Sequence, residues 1–432
     1  MKGLGAVPSI FLPPLCVWAF LTGCSAPKSD TASASKKNIE LTIRHSQLRG
    51  FEHGLSDLLE DFTREFPHVT VKSELVPWDG GEQYRLYAAG FGSKSDGFDV
   101  FAQDVVWISE FADKGWTLDL SDYFHQDDRN DFLIGTIEAA TYKGRISAVP
   151  WYADAGLLYY RKDLLEKHGR PVPKTWGQMT EASKAILLRE NEPGLSGFIW
   201  QGKQYEGLVC NAVEFLGSNG VRILDDQGRW GLEPRPRALK ALDFMQALIY
   251  QHQISPMLVL EADEESSREV FQNGHAIFLR NWPYAISLFS RPGSPIRDKY
   301  GIAPLPHFEG QASVSSLGGW FLSVNRFSKH PAEAYELIAR LTSAKVQKML
   351  FEKVGYMPTR SALYEDAELL RSYPHLAALG GVFSRATARP KSPRYTQVSA
   401  VLQEEISKVL SQSKTPDQAL TDMRRRMQPL LE

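Results

Sequence analysis

Residues 39–76, IELTIRHSQLRGFEHGLSDLLEDFTREFPHVTVKSELV, read as strand, helix, strand. Ile39 to Ile43 alternates apolar and polar residues, the period of a half-buried strand. From His53 to Phe66, residues Leu55, Leu58, Leu59, Phe62 and Phe66 recur at helical spacing, and Pro67 stops the helix. Val69 to Val76 alternates again. Two strands joined by a helix of this length make a βαβ unit, which implies a parallel sheet and an α/β fold.

The pattern continues along the chain. Gly97–Phe101 reads as a buried strand ending at Gln103-Asp104, and Gly156–Tyr160 as another, followed by a short helix from Lys162 to His168. Thr175-Trp-Gly-Gln178 is a capping box that opens a helix through Leu188, and Thr415-Pro-Asp-Gln418 is a second one. Helices also fit 236–252, 331–341 and 346–354, with strands at 276–279 and 320–324. Open α/β sheets hold ligands beyond the carboxyl ends of their strands. Asp104, Asp154 and Trp282 each follow a predicted strand closely enough to be there.

The 432 residues carry a formal charge of −2, with 43% hydrophobic and 23% charged residues. These values exclude a disordered chain, a coiled coil and a polytopic membrane protein, and the near-neutral balance argues against nucleic acid as the main partner. The length accommodates two lobes. Residues 1–23 read as a signal peptide: Lys2 is followed by an apolar stretch that Pro8, Pro13 and Pro14 interrupt, whereas a spanning helix needs about 20 apolar residues. Leu21-Thr-Gly-Cys24 resembles the bacterial lipoprotein signal, in which cleavage precedes a cysteine that is then acylated. Residues 24–38 form a polar, flexible tether. The remaining cysteine, Cys210, has no disulfide partner once Cys16 and Cys24 are so used, and its apolar neighbours mark it as a core residue rather than a nucleophile.

No P-loop, G-x-S-x-G or H-E-x-x-H motif is present, the histidines are not spaced as metal ligands, and no cofactor is expected. The acidic run 125–131 lacks the glycine and closing glutamate of a calcium loop and reads as solvated surface. What stands out is aromatic residues beside carboxylates and amides: Asp104 with Trp107, Trp151-Tyr152-Ala153-Asp154, Trp200 to Glu206, Asn281-Trp282-Pro283-Tyr284 and Gly318-Gly319-Trp320. Taken singly, each ring fits a core. Together they suit a neutral sugar, whose C–H face stacks on rings and whose hydroxyls bond to carboxylates. Arg389 supplies donors to hydroxyl or ring oxygens.

From its first strand to its end the chain resembles the extracellular solute-binding proteins of the sugar class, nearest the trehalose/maltose-binding branch. The stretches that carry this are 98–107, 150–165, 200–210, 280–284, 303–308 and 317–320. The resemblance implies a two-lobed periplasmic-binding-protein-like fold of type II, with a ligand cleft between the lobes and three hinge crossovers near 148–154, 302–305 and 355–359. The lobes would comprise 39–148 with 306–357, and 149–305 with 358–432. It further implies a lipid-anchored, monomeric, non-enzymatic subunit of an ABC importer in the cell envelope, capturing an α-linked disaccharide such as trehalose or maltose for a membrane permease. The ligand contacts carried over are Asp104, Tyr152, Asp154, Trp282, Tyr284, Gly319, Trp320 and Arg389, with Glu52 at a position shifted by about one residue. The readings from other classes are a secreted glycoside hydrolase using paired carboxylates among Asp104, Asp154 and Glu206, and a structural lipoprotein whose rings are only core.

Overall fold

The computed structural model describes residues 38–48, 54–225, 227–383 and 386–432. The expectations for the signal peptide, Cys24, the tether up to residue 37 and Glu52 lie outside them.

The opening stretch forms β1 (Ile39–His45), a helix (Gly54–Glu65) and β2 (Val69–Leu75), and β1 pairs β2 in parallel from Ile39↔Val69 to His45↔Leu75. The helix buries Leu55, Leu58, Leu59 and Phe62 on the sheet, the apolar stripe its spacing demands. After the helix Gly80–Gly92 comes β3 (Val100–Asp104), parallel to β1 on its other edge. A two-residue hairpin, β4 (Thr141–Tyr142) and β5 (Arg145–Ile146), precedes β6 (Val149–Ala155).

The chain then builds a second sheet. It contains β7 (Leu157–Arg161), β8 (Ser196–Ile199), β9 (Ala276–Asn281) and β10 (Tyr300–Ala303), in the order β10-β7-β9-β8. It returns to the first sheet through β11 (Ser316–Val324) and touches it again with β12 (Thr387–Ala388). β11 runs antiparallel to both β3 and β6.

Each sheet has its own core. Leu41, Ile43, Val100, Leu322 and Val324 pack with the helix Gly54–Glu65 and the helix Pro331–Leu341. Leu157, Tyr159, Phe198, Ile277 and Leu279 pack with the helices Glu206–Gly217, Tyr395–Leu410 and Pro416–Leu431. The result is a two-lobed α/β protein. The chain changes sheets between Ala155 and Leu157 and between Ala303 and Ser316, while Met357 bridges to Ala153 beside the first of these passages. No described helix is long and apolar enough to cross a membrane.

Of the two capping boxes, the one at Thr415 is complete, with the Gln418 side chain returning to the Thr415 N–H. At Thr175 the hydroxyl accepts from Gln178 N, but the Gln178 amide oxygen reaches back one residue further, to Lys174 N.

A cleft lined by aromatic rings and carboxylates

Three strands bring their residues into one row. β11 places Trp320 opposite Asp104 of β3 and also opposite Tyr152 of β6. Directly paired residues project from the same face of a sheet, so the three side chains share a face, and Asp154, two residues beyond Tyr152, joins them. Asp104 is further fixed as the cap of the turn Val105–Trp107, its carboxylate accepting from Val106 N. Opposite Asp154 stands Gly318. A Cβ there would approach the six-membered ring of Trp282 to 3.3 Å, so the absent side chain makes room for the indole. Gly319 has φ +138° and its hydrogen faces the Tyr152 carbonyl; a Cβ would lie 2.8 Å from that oxygen. Only glycine fits both constraints.

The second sheet supplies the opposite wall. Trp282 follows β9 directly. Its indole N–H donates to Glu264 Oε1 at 3.3 Å, and the Tyr159 hydroxyl donates to its carbonyl at 2.7 Å. The Tyr284 hydroxyl donates to Glu265 Oε1 at 2.6 Å. Tyr152 stacks on Tyr356 with ring centroids 4.3 Å apart, and Trp320 meets Trp107 and Trp78 edge to face.

Arg389, just after β12, is buried between the walls. It donates to Asp104 Oδ1 at 2.7 Å and to Glu206 Oε1 at 2.8 Å, and Tyr395 donates its hydroxyl to the same Glu206 oxygen. Burial opposes the guanidinium charge, but Asp104 and Glu206 outweigh it and hold its pKa well above the ordinary value. Arg389 Nε and Asp154 Oδ1 are buried without a hydrogen-bond partner. Burial, reinforced by the charge of Asp104, pushes the Asp154 carboxyl up to about 8, so it is protonated at neutral pH and can donate as well as accept.

These groups surround a cavity of about 460 Å3, within the range of small-molecule pockets, roughly 300–1,000 Å3. Asp104, Tyr152, Asp154, Trp282, Tyr284, Gly319, Trp320 and Arg389 all line it. So do residues that motif reading did not single out: Trp78, Tyr84, Glu264 and Tyr395. Trp78-Asp79 repeats the ring-beside-acid pattern and was findable by it. Glu264 and Tyr395 come from helix starts with no such signature. Glu206 does not present a free carboxylate; it and Asp104 are both engaged by Arg389. Cys210 is buried, and burial pushes its thiol up to about 12, where it is no nucleophile. The described residues hold no cluster suited to a metal ion.

The model of the bacterial extracellular solute-binding protein family matches residues 50–348. A curated relative from Deinococcus radiodurans, named "Probable ABC transporter-binding protein", is 37% identical over 358 residues, covering 81% of this chain and 84% of that protein. The maltotriose-binding protein of Pyrococcus abyssi is 25% identical, covering 83% of this chain and 75% of its own length. Among solved structures, maltose-bound MalE3 of T. maritima superposes with a TM-score of 0.86 at 39% identity, covering 91% of this chain and all of that one. Such proteins bind solutes for transporters and catalyse no reaction. With its two sheets, the cleft between them and a family match across most of its length, this chain belongs to the bacterial extracellular solute-binding proteins.

Proposed function

We propose that the cleft captures a neutral oligosaccharide, an α-linked disaccharide such as trehalose or maltose, and presents it unchanged to the permease of an ABC importer. The observation that carries this reading is the cavity wall, where Trp282, Trp320 and Tyr152 stand together with Asp104, Asp154 and Arg389. Sugar hydroxyls would bond to these polar groups while the pyranose faces stack on the rings. The MalE3 structure, with maltose bound and 39% identity, supports an α-glucoside.

The chain contains no nucleotide-binding motif, so the energy for transport comes from other subunits. We place the lobes at 39–148 with 306–357 and 149–305 with 358–432, with β6 at the hinge. Closure follows because the sugar makes contacts in the closed state that it cannot make in the open one. We further propose that Cys24 carries a lipid that holds a monomeric protein at the membrane of the cell envelope. Titration calorimetry against a sugar panel tests the ligand. Acyl labelling tests the anchor: Cys24→Ala should abolish label and leave an unprocessed precursor, and label that survives the change would refute it.

A further inference from the structure

Beneath the proposed stacking ring lies a buried ion pair. Arg280 sits on β9 two residues before Trp282, and its guanidinium carbon is 3.9 Å from the centroid of the Trp282 ring. Glu214, from the helix Glu206–Gly217, grips the guanidinium with both oxygens, at 2.8 Å to Nε and 2.5 Å to Nη2. Both residues are 1% exposed. Gln201 completes the set, accepting from Arg280 Nη1 and donating to the Arg280 carbonyl.

A buried arginine is costly to desolvate, and here every contact that offsets that cost also fixes its geometry. Here its surroundings are built to admit it. The Glu214 carboxylate also accepts from Ser316 N at 3.1 Å, where the chain re-enters the first sheet. Gly156, where the chain leaves it, has no side chain, and a Cβ there would collide with the same carboxylate. The Gly156 carbonyl accepts from the Ser315 hydroxyl at 2.8 Å, closing the corner. One carboxylate therefore joins a helix, the strand bearing the ring, and two passages between sheets.

We propose that Arg280, held by Glu214, is a positioning residue for sugar binding: it supports one face of the Trp282 indole so that the ring stands at the angle a pyranose needs, and it ties that angle to the hinge. The inference rests on the reading of Trp282 as the stacking ring. Arg280 lies beneath the ring and is not itself proposed to touch the sugar. A cation at this distance attracts the ring face and resists its rotation. The Trp282 backbone N–H donates to Asn281 Oδ1 and its indole N–H to Glu264 Oε1; the first holds the main chain and the second the ring edge, and neither supports the ring face.

Removing one partner alone would leave a buried charge and destabilise the lobe for that reason only, so the test removes both. In Arg280→Met/Glu214→Gln the amide can still accept from Ser316 N. Maltose and trehalose serve as probes for calorimetry. We expect the double variant to fold and to bind the better probe at least tenfold more weakly. Adding Trp282→Ala should then cost less than threefold, whereas in the wild type it costs at least tenfold. That non-additivity is what a merely structural role would not produce. An unchanged affinity, or an equal Trp282→Ala penalty in both backgrounds, overturns the proposal. Near-ultraviolet circular dichroism without sugar separates the two readings. If the wild type binds neither probe, the function above fails, while the positioning role still predicts that the double variant loses the same indole bands as Trp282→Phe; retention of those bands refutes it.

Discussion

Arg389 and Asp104 are 285 positions apart in sequence, yet Nη2 of one lies 2.7 Å from Oδ1 of the other. The bond ties the end of β3 in the first sheet to the segment after β12, and Glu206 on a helix of the second lobe holds the other guanidinium nitrogen. Replacing Arg389 by Met leaves two carboxylates facing each other without their cation. The expected destabilisation is about 3–5 kcal/mol, measured by urea unfolding. Arg389→Lys should recover little, because an ammonium cannot fork between two carboxylates.

Trp282→Ala removes a stacking face and should cost at least about 1.5–3 kcal/mol of sugar affinity. Asp104→Ala should cost roughly 1.5–3 kcal/mol by leaving hydroxyls unpaired. Trp230, half-buried against the second core and away from the cavity, is the control: Trp230→Phe should leave affinity unchanged in calorimetry.

The fold was legible where elements were amphipathic. The strand and helix of residues 39–76 fall within a residue or two of their expected limits, and the helix Pro331–Leu341 falls on them. Two helices that shape the cleft left no such trace. Glu206–Gly217 is buried on nearly every side, so its apolar residues show no period. Gly80–Gly92 contains four glycines, which weaken any helical signal. Eight candidate contacts came from the family resemblance, all but Arg389 on the stretches that carry it, and all eight line the cavity. What sequence could not supply was pairing. Nothing in the residues around Glu206 announced that Arg389 would occupy it, or that Arg280 would lie under Trp282.

Asp154 gives a pH prediction. Its folded pKa is raised from 3.8 to about 8, first by burial and then by Asp104. Between about pH 4 and pH 8 the unfolded chain releases a proton that the folded chain keeps, so this group's contribution to stability declines as pH rises through that window. Asp154→Asn removes the titration while preserving a donor and an acceptor. Thermal unfolding should show the variant gaining on the wild type from pH 4 to pH 8, with sugar binding retained at neutral pH, whereas Asp154→Ala should weaken binding.

Gly319→Ala places a methyl group against the Tyr152 carbonyl at a backbone angle that other residues avoid. A cost of about 1–3 kcal/mol in folding stability is expected from denaturant titration, with weakened sugar binding as β6 and β11 are forced apart.

Calorimetry of the wild-type protein with maltose, trehalose and longer α-glucosides addresses the function most directly. The expected result is one-to-one binding of at least one of them, with the sugar recovered intact; a dissociation constant of about 1 μM would correspond to roughly 8 kcal/mol. Release of monosaccharide, or no heat with any sugar, would contradict it.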